Sequence, residues 1–248
     1  SGGNSALAAS ARGYIRLSGP DSGKFLQGQV TCDMDSLSPS NSIDGAHCTP
    51  KGRMVFLFTA HCDEDGSIIL EAHPSIIDSA LANLKKYGVF FKTEITDISD
   101  SYSNNQTHLS DLERLRAGKA EVVAETLEMF IPQMLNLDAL GYINFKKGCY
   151  TGQEIIARAH YRGAVKRRMH HLALTTESLP SPGDEIKVHK HGSGPDVYLS
   201  GNMHLDDYNT ETFYLSPYDE QNGHALPNQK GGLTLFPSYV SHGATKYE

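Results

Sequence analysis

The segment of residues 146–154, KKGCYTGQE, constrains the fold more than any other part of the chain. Thr151 and Glu154 have the T-x-x-E spacing of a helix-capping box, and the residues that follow predict that a helix begins here. Cys149 therefore lies just before the positive end of a helix dipole and beside lysines. Both features favour the thiolate and predict a pKa below the value of about 8.5 that is usual for a free cysteine. The alternative is a buried structural cysteine beside a well-capped helix.

Positive charge is concentrated around this segment. The whole chain carries a net charge of −7, which argues against a general nucleic-acid binder because neutralising phosphates needs surplus cations. Residues 146–168 nevertheless contain seven Lys or Arg and one acid, a net charge of +6, so the rest of the chain carries −13. Such a patch beside a candidate thiol predicts an anionic ligand such as a phosphate, a carboxylate tail or an RNA backbone; the alternative is a solvated basic turn.

Cysteine usage and hydropathy predict a protein of the reducing cytoplasm with no membrane-spanning segment. No CxxC pair occurs, so the sequence predicts neither a disulfide scaffold nor a permanently bound metal. No apolar run approaches the roughly 18 residues that a transmembrane helix needs. Nucleotide hydrolysis and hydride transfer have no support, because neither a Walker loop nor a GxGxxG fingerprint is present. The four cysteines are Cys32, Cys48, Cys62 and Cys149.

The periodicity of apolar residues predicts an α+β first part and a β-rich end. Strands are predicted at residues 14–19, 54–59, 67–71 and 89–95, with a hairpin turn at 63–66. Helices are predicted at residues 21–30, 74–86 and from Ser110. The second of them buries Ile76, Ile77, Ala80, Leu81 and Leu84. Short strands at 169–175, 184–190, 197–203 and 211–215 predict a small antiparallel β domain or barrel.

Four segments resemble, in the same order, the YgfZ family of folate-binding proteins, relatives of the glycine-cleavage T-protein, an aminomethyltransferase. They are residues 25–33 (FLQGQVTCD), 46–53 (AHCTPKGR), 130–141 (from FIPQ to Gly141) and 146–154, the last extended by 157–163 (ARAHYRG). Together they cover most of the chain from Tyr14 to Arg168.

The resemblance implies a T-protein-like cloverleaf of modules around a folate-sized cleft. Its core domain is discontinuous, residues 6–43 plus 109–164. A ferredoxin-like α/β middle domain covers residues 44–108, and a C-terminal antiparallel β-barrel covers residues 165–248. The middle domain is shortened, because only a polar segment stands between Ile95 and Ser110 where relatives have further elements.

The resemblance also implies an accessory protein for iron–sulfur enzyme maturation and tRNA modification. Tetrahydrofolate or a derivative is the expected ligand. Iron–sulfur enzymes such as those that methylthiolate tRNA are the expected partners, with a local contact to tRNA. The residues matched to the functional thiol site are Cys149, Lys147 and Glu154. Those matched to folate binding are Lys147, Gly148, Tyr150, Gly152, Gln153, Arg158, Arg162 and Gln27. Because the chain has no tryptophan, the candidates for stacking on the pterin are Tyr14, Phe90, Phe91, Tyr142 and Tyr161.

Whether the protein is an enzyme stays open at this point. A folate-dependent one-carbon transferase needs a carboxylate as acid or base, and Glu154 is the nearest. A non-catalytic interaction module is the third reading. Transient ligation of a cluster by Cys149 is favoured over nucleophilic attack, because a cysteine without a paired base is a poor catalytic constellation. His160 does not supply that base, since about three helical turns separate it from the cysteine, and a histidine elsewhere in the chain stays open as the alternative.

Overall fold

A computed structural model describes residues 11–102, 114, 117–163, 165, 168–173, 182, 185–188, 197–200 and 232–235. Its central element is a five-stranded antiparallel sheet with the strand order β2-β3-β4-β1-β5. The strands are β1 (Gly13–Ser18), β2 (Ile43–Cys48), β3 (Met54–Cys62), β4 (Ile68–Ala72) and β5 (Glu94–Asp97). β3 and β4 are apolar along most of their length because both of their faces are buried.

The sheet confirms most of the strands that apolar runs predict. The turn between β3 and β4 closes with a hydrogen bond from the Asp63 amide to the Ser67 carbonyl, 2.8 Å long. β1 pairs with β4 on one side and with β5 on the other. The boundary predicted between residues 43 and 44 therefore falls at the start of β2, inside a single sheet.

Two helices complete this part of the core. α1 (Ser22–Gln27) ends at Gly28, where the sequence predicts a break. A 3₁₀ turn (Pro74–Ile76) leads into α2 (Ile77–Gly88), whose residues Ile77, Ala80 and Leu84 are buried. This is the apolar face that the 3.6-residue periodicity predicts.

The strand predicted at residues 89–95 is wrong over residues 89–93 and correct only for its last two residues. Residues 89–93 form a turn, with the Phe91 amide donating to the Gly88 carbonyl at 2.9 Å, and β5 begins only at Glu94. Val89 and Phe90 are exposed, and the Phe90 side chain is 95% exposed. The apolar run does not pair because the chain must turn back from α2 to place β5 beside β1.

The segment from Ala120 to Gly152 is built from turns rather than long elements. It contains 3₁₀ turns at Ala124–Thr126 and Pro132–Leu135 and leads to the helix α3 (Gln153–Tyr161). Met54 at the start of β3 donates to the Phe130 carbonyl at 2.8 Å, which fixes this segment against the sheet. The proline at position 132 ends regular structure, as expected.

Two strand pairs are described in the C-terminal part of the chain. β6 (His170–Ala173) pairs with β9 (Gly232–Leu235), and β7 (Glu185–Val188) pairs with β8 (Val197–Ser200), both antiparallel. β6, β7 and β8 coincide with predicted strands. The strand predicted at 211–215 and most of the helix predicted from Ser110 lie outside the described residues. No helix in the described part of the chain is long and apolar enough to cross a bilayer.

Candidate functional site

The loop that carries Cys149 lies against the segment between α1 and β2. The amide of Asn144 donates to the Thr31 carbonyl at 2.9 Å, and the amide of Thr151 donates to the Gly28 carbonyl at 3.1 Å. The FLQGQVTCD and KKGCYTGQE segments, more than a hundred residues apart in sequence, therefore form one structure.

Lys147 fastens these two segments together. Its ammonium donates to the carbonyls of Val30 at 2.8 Å and Cys32 at 2.6 Å, and it lies 5.2 Å from the centre of the Tyr150 ring. Burial lowers the pKa of Lys147 to about 8. The side chain that the sequence places beside the thiol thus has a structural role at this junction.

Helix α3 begins differently from the prediction. Its first residue is Gln153 and its N-cap is Gly152, with no side-chain capping bond, so the capping box of Thr151 and Glu154 is wrong. The Thr151 hydroxyl instead donates to the side-chain oxygen of Gln29 at 3.1 Å. Gly152 adopts φ +85°, a left-handed conformation that glycine enters at no steric cost.

Two glycines let the AHCTPKGR hairpin pack directly on the start of α3. A Cβ atom at Gly152 would lie 2.6 Å from the Thr49 carbonyl oxygen. A Cβ atom at Gly52, which has φ +70°, would lie 2.9 Å from the Cβ of Ile155. Either side chain would force hairpin and helix apart, so the second segment is also part of this site.

The FIPQ segment supports the helix through its glutamine. The amide nitrogen of Gln133 donates to the Ile156 carbonyl inside α3 at 2.7 Å. The backbone carbonyl of Gln133 accepts from Arg168 at 2.8 Å. All four segments that carry the family resemblance thus converge on the loop of Cys149 and the helix that follows it.

Cys149 is the exposed member of four free cysteines. Cys32 and Cys48 are buried, and burial raises the pKa of the Cys32 thiol to about 12 and that of Cys48 still further. Cys62 is half-buried. Next to Cys149, a Cβ atom at Gly148 would meet nothing within 4 Å, so the loop is open on that side.

The structure separates the residues matched to folate binding into two groups. Gln27 uses both ends of its amide locally, because it donates to Asp33 at 2.7 Å and accepts from the Met34 amide at 2.8 Å. Tyr150 is buried, and burial raises its pKa. Arg158 and Arg162 are exposed on α3 and at its C-cap.

Several cations of the basic window have partners in the protein. Arg168 donates to both carboxylate oxygens of Asp138, at 2.5 and 2.9 Å. Arg158 donates to Glu154 at 2.8 Å in an exposed pair. Lys146 and Arg162 are exposed, and Lys166 and Arg167 lie outside the described residues. Fewer cations are therefore available to a ligand than the charge count predicts.

The sequence does not predict an aromatic stack that lies beside the loop. Phe145 stacks on His160 with ring centroids 3.7 Å apart, and Tyr161 stands edge-on to them. The sequence offers Tyr161 only as one of five unranked stacking candidates. Phe145 precedes α3 and His160 is near its end, so the two rings come together only in the folded chain.

In the described residues, no group of three His, Cys, Asp or Glu side chains is placed to hold a metal ion.

Curated relatives decide the family of this chain, although no family model matches it. The tRNA-modifying protein YgfZ of Aliivibrio fischeri (strain MJ11) is 33% identical over 230 residues, covering 70% of this chain and 72% of that protein. The protein of the same name from Photobacterium profundum is 33% identical over 236 residues, covering 71% of both. That of Sodalis glossinidius is 30% identical over 239 residues, covering 70% and 73%.

The chain belongs to the YgfZ family. Its fold is similar to that of the glycine cleavage system aminomethyltransferase T from Bartonella henselae, with a TM-score of 0.56 at 11% identity over 92% of this chain and 83% of that one. At this identity the likeness concerns the fold alone. The four converging segments are those that resemble the YgfZ family in sequence, and the family membership that they predict is confirmed.

Proposed function

We propose that this YgfZ-family protein is a folate-binding accessory factor of tRNA modification and that Cys149 supplies its functional thiol. The observation that carries the proposal is the exposure of Cys149 on the loop where the four segments converge, while Cys32 and Cys48 are buried. The relatives are named tRNA-modifying proteins, which supports the process in which the thiol acts.

The residues at the site fit tetrahydrofolate in part. Gln153, Arg158 and Arg162 reach solvent, and the two guanidinium groups suit the carboxylates of a folate tail. Lys147 and Tyr150 contribute by holding the loop in place, and Gln27 contributes by ordering the turn that follows α1, since their polar or apolar groups are engaged within the protein. Bound tetrahydrofolate would supply a carrier for one-carbon units.

In this role Cys149 is a transient ligand for an iron–sulfur cluster or a metal. A nucleophilic cysteine in an enzyme is commonly paired with a base within hydrogen-bond reach. His160, the first histidine after it in the chain, is stacked on Phe145 instead. The partners in this proposal are iron–sulfur enzymes such as those that methylthiolate tRNA, and the site of action is the cytoplasm.

The family resemblance extends the proposal to the domain plan. It includes a C-terminal barrel at residues 165–248 and a shortened middle domain at residues 44–108. The match to the S. glossinidius protein is 239 positions long but covers only 70% of this 248-residue chain. The relative therefore has residues without a counterpart here, as a shortened domain requires.

A one-carbon transferase is the less favoured function. Its acid or base would be Glu154, but this side chain is 80% exposed and pairs with Arg158. A carboxylate in that setting lacks the desolvation by which active sites tune acids and bases. The interaction module stands as the outcome if folate does not bind.

The test combines an anaerobic titration with tetrahydrofolate and a cysteine variant. We expect saturable binding to one site, and Cys149→Ala to bind with an affinity within about twofold of the wild type, because the thiol is not a folate contact. In cells that lack the protein, Cys149→Ala should fail to restore tRNA modification, whereas Cys62→Ala, the matched control, should restore it. No binding at millimolar folate, or full restoration by Cys149→Ala, would contradict the proposal.

A further inference from the structure

Three aromatic rings meet at the end of α3, and the proposed folate and thiol functions use none of them. The rings of Phe145 and His160 stack face to face, with centroids 3.7 Å apart and 15° between their planes. Tyr161 stands edge-on to both, 4.7 Å from His160 and 6.1 Å from Phe145 between centroids. The stack joins the loop before the helix to the end of the helix, so it is an ordered tertiary feature.

Most of this stack faces solvent. The Tyr161 side chain is 66% exposed, His160 is exposed, and Phe145 is half-buried. Ordered aromatic rings that are exposed to solvent provide a surface on which another planar ring can stack.

An exposed cation adjoins the stack in the chain, because Lys146 directly follows Phe145. Proteins that bind unpaired nucleotides use this combination, because the rings stack on bases and the cations bind the phosphates beside them.

We infer that Phe145, His160 and Tyr161 form a platform for an unpaired base of RNA, with Lys146 on a neighbouring phosphate. The inference rests on the proposed function, in which the protein acts in tRNA modification, and it adds the surface that contacts the RNA. Cys149 is on the same loop, three residues after Lys146 in the chain. RNA held on the platform is therefore brought to the loop of the functional thiol.

Other ligands fit this surface less well. Folate-sized molecules bind in concave pockets that bury most of the ligand, whereas the Tyr161 ring projects into solvent. Protein interfaces have an apolar centre from which charged residues are depleted, whereas the exposed Lys146 directly follows Phe145 in the chain.

The experiment measures binding of the full chain to a fluorescent stem–loop RNA with an unpaired loop, and to a fully paired duplex of the same length, at low salt. We expect Tyr161→Ala to weaken stem–loop binding about tenfold or more, because stacking on an aromatic side chain contributes strongly for each base. Tyr161→Phe, which keeps the ring, should bind within about twofold of the wild type. Duplex binding should be weaker and should not change in Tyr161→Ala, because paired bases are not available for stacking.

Phe90→Ala is the matched control, since Phe90 is an even more exposed ring elsewhere on the surface. It should leave stem–loop binding unchanged. Absence of RNA binding by the wild type, an unchanged affinity of Tyr161→Ala, or an equal loss in Phe90→Ala would overturn the inference. An unchanged affinity would assign the platform to a protein partner.

A folate titration of Tyr161→Ala separates this inference from the proposed function. Unchanged folate binding together with weakened RNA binding supports the platform. If the variant loses folate binding, the rings belong to the folate site and the inference is overturned. If the wild type binds the stem–loop but no folate, the folate proposal alone is contradicted.

Discussion

Arginine–glutamate pairs occur in two contrasting regions of this molecule. Beside the sheet, Arg12 donates to Glu71 at 3.1 Å and to Glu121 at 2.8 Å, and all three side chains are at most 7% exposed. On α3, Arg158 donates to Glu154 at 2.8 Å, with the side chains 62% and 80% exposed. The bond lengths are alike, but only the first set depends on its partners to offset the cost of desolvation. Burial therefore separates charges that hold the fold from charges that are available to ligands.

Removing one arginine from each region tests this contrast with the largest expected effect. Arg12→Ala removes the guanidinium that pairs with two buried carboxylates, and we expect the free energy of unfolding to fall by about 3 kcal/mol. Arg158→Ala is the matched control and should change it by less than about 0.5 kcal/mol. Urea denaturation measures both. Equal shifts in the two variants would contradict the role given to burial.

The two glycines on either side of Cys149 show the same contrast between a packed and an open position, here in the backbone. Gly152→Ala places a Cβ atom 2.6 Å from the Thr49 carbonyl at φ +85°, and we expect a loss of about 2–3 kcal/mol in unfolding free energy. Gly148→Ala, where a Cβ meets nothing within 4 Å, should stay within about 0.5 kcal/mol of the wild type. A wild-type stability for Gly152→Ala would show that the hairpin does not pack on α3 as described.

A buried histidine in the core also predicts that the free energy of unfolding depends on pH. His47 is buried beside Phe56, and burial lowers its pKa to about 4. The unfolded chain takes up a proton on this histidine below about pH 6.5, while the folded chain does not until about pH 4. The contribution of neutral His47 to the free energy of unfolding is therefore complete above pH 6.5. It is lost as the pH falls towards 4, and the loss is about 2 kcal/mol at pH 5.

Denaturation of the wild type and of His47→Gln at pH 7.5 and pH 5 isolates this contribution. The glutamine does not titrate, so the variant should lose less stability between the two pH values. Identical losses would show that another group is responsible.

The sequence predicts the elements of the sheet better than the arrangement of the site. β3, β4 and α2 are found where predicted, because each has an apolar pattern that local reading detects. The strand at 89–95 fails because an apolar run there is exposed rather than paired. The capping box fails because Gly152, in a left-handed conformation, occupies the N-cap position.

The contacts that build the site connect distant parts of the chain. Lys147 donates to the carbonyls of Val30 and Cys32, which lie 117 and 115 positions earlier in the sequence. Sequence spacing does not reveal such pairs, because a lysine that joins two distant segments cannot be distinguished in the sequence from any other lysine. The family resemblance named the converging segments, but only the structure shows that they touch.

The anchors on either side of Cys149 limit how far its sulfur can travel. Lys147 is fixed to two carbonyls on one side, and the amide of Thr151 is fixed to Gly28 on the other. The three residues between them span at most about 10 Å when fully extended, and one of these, Tyr150, is itself buried. The thiol is thus on a short tether and does not swing out like a carrier arm. Any partner that reacts with this thiol has to bring its own reacting group to the surface of this protein.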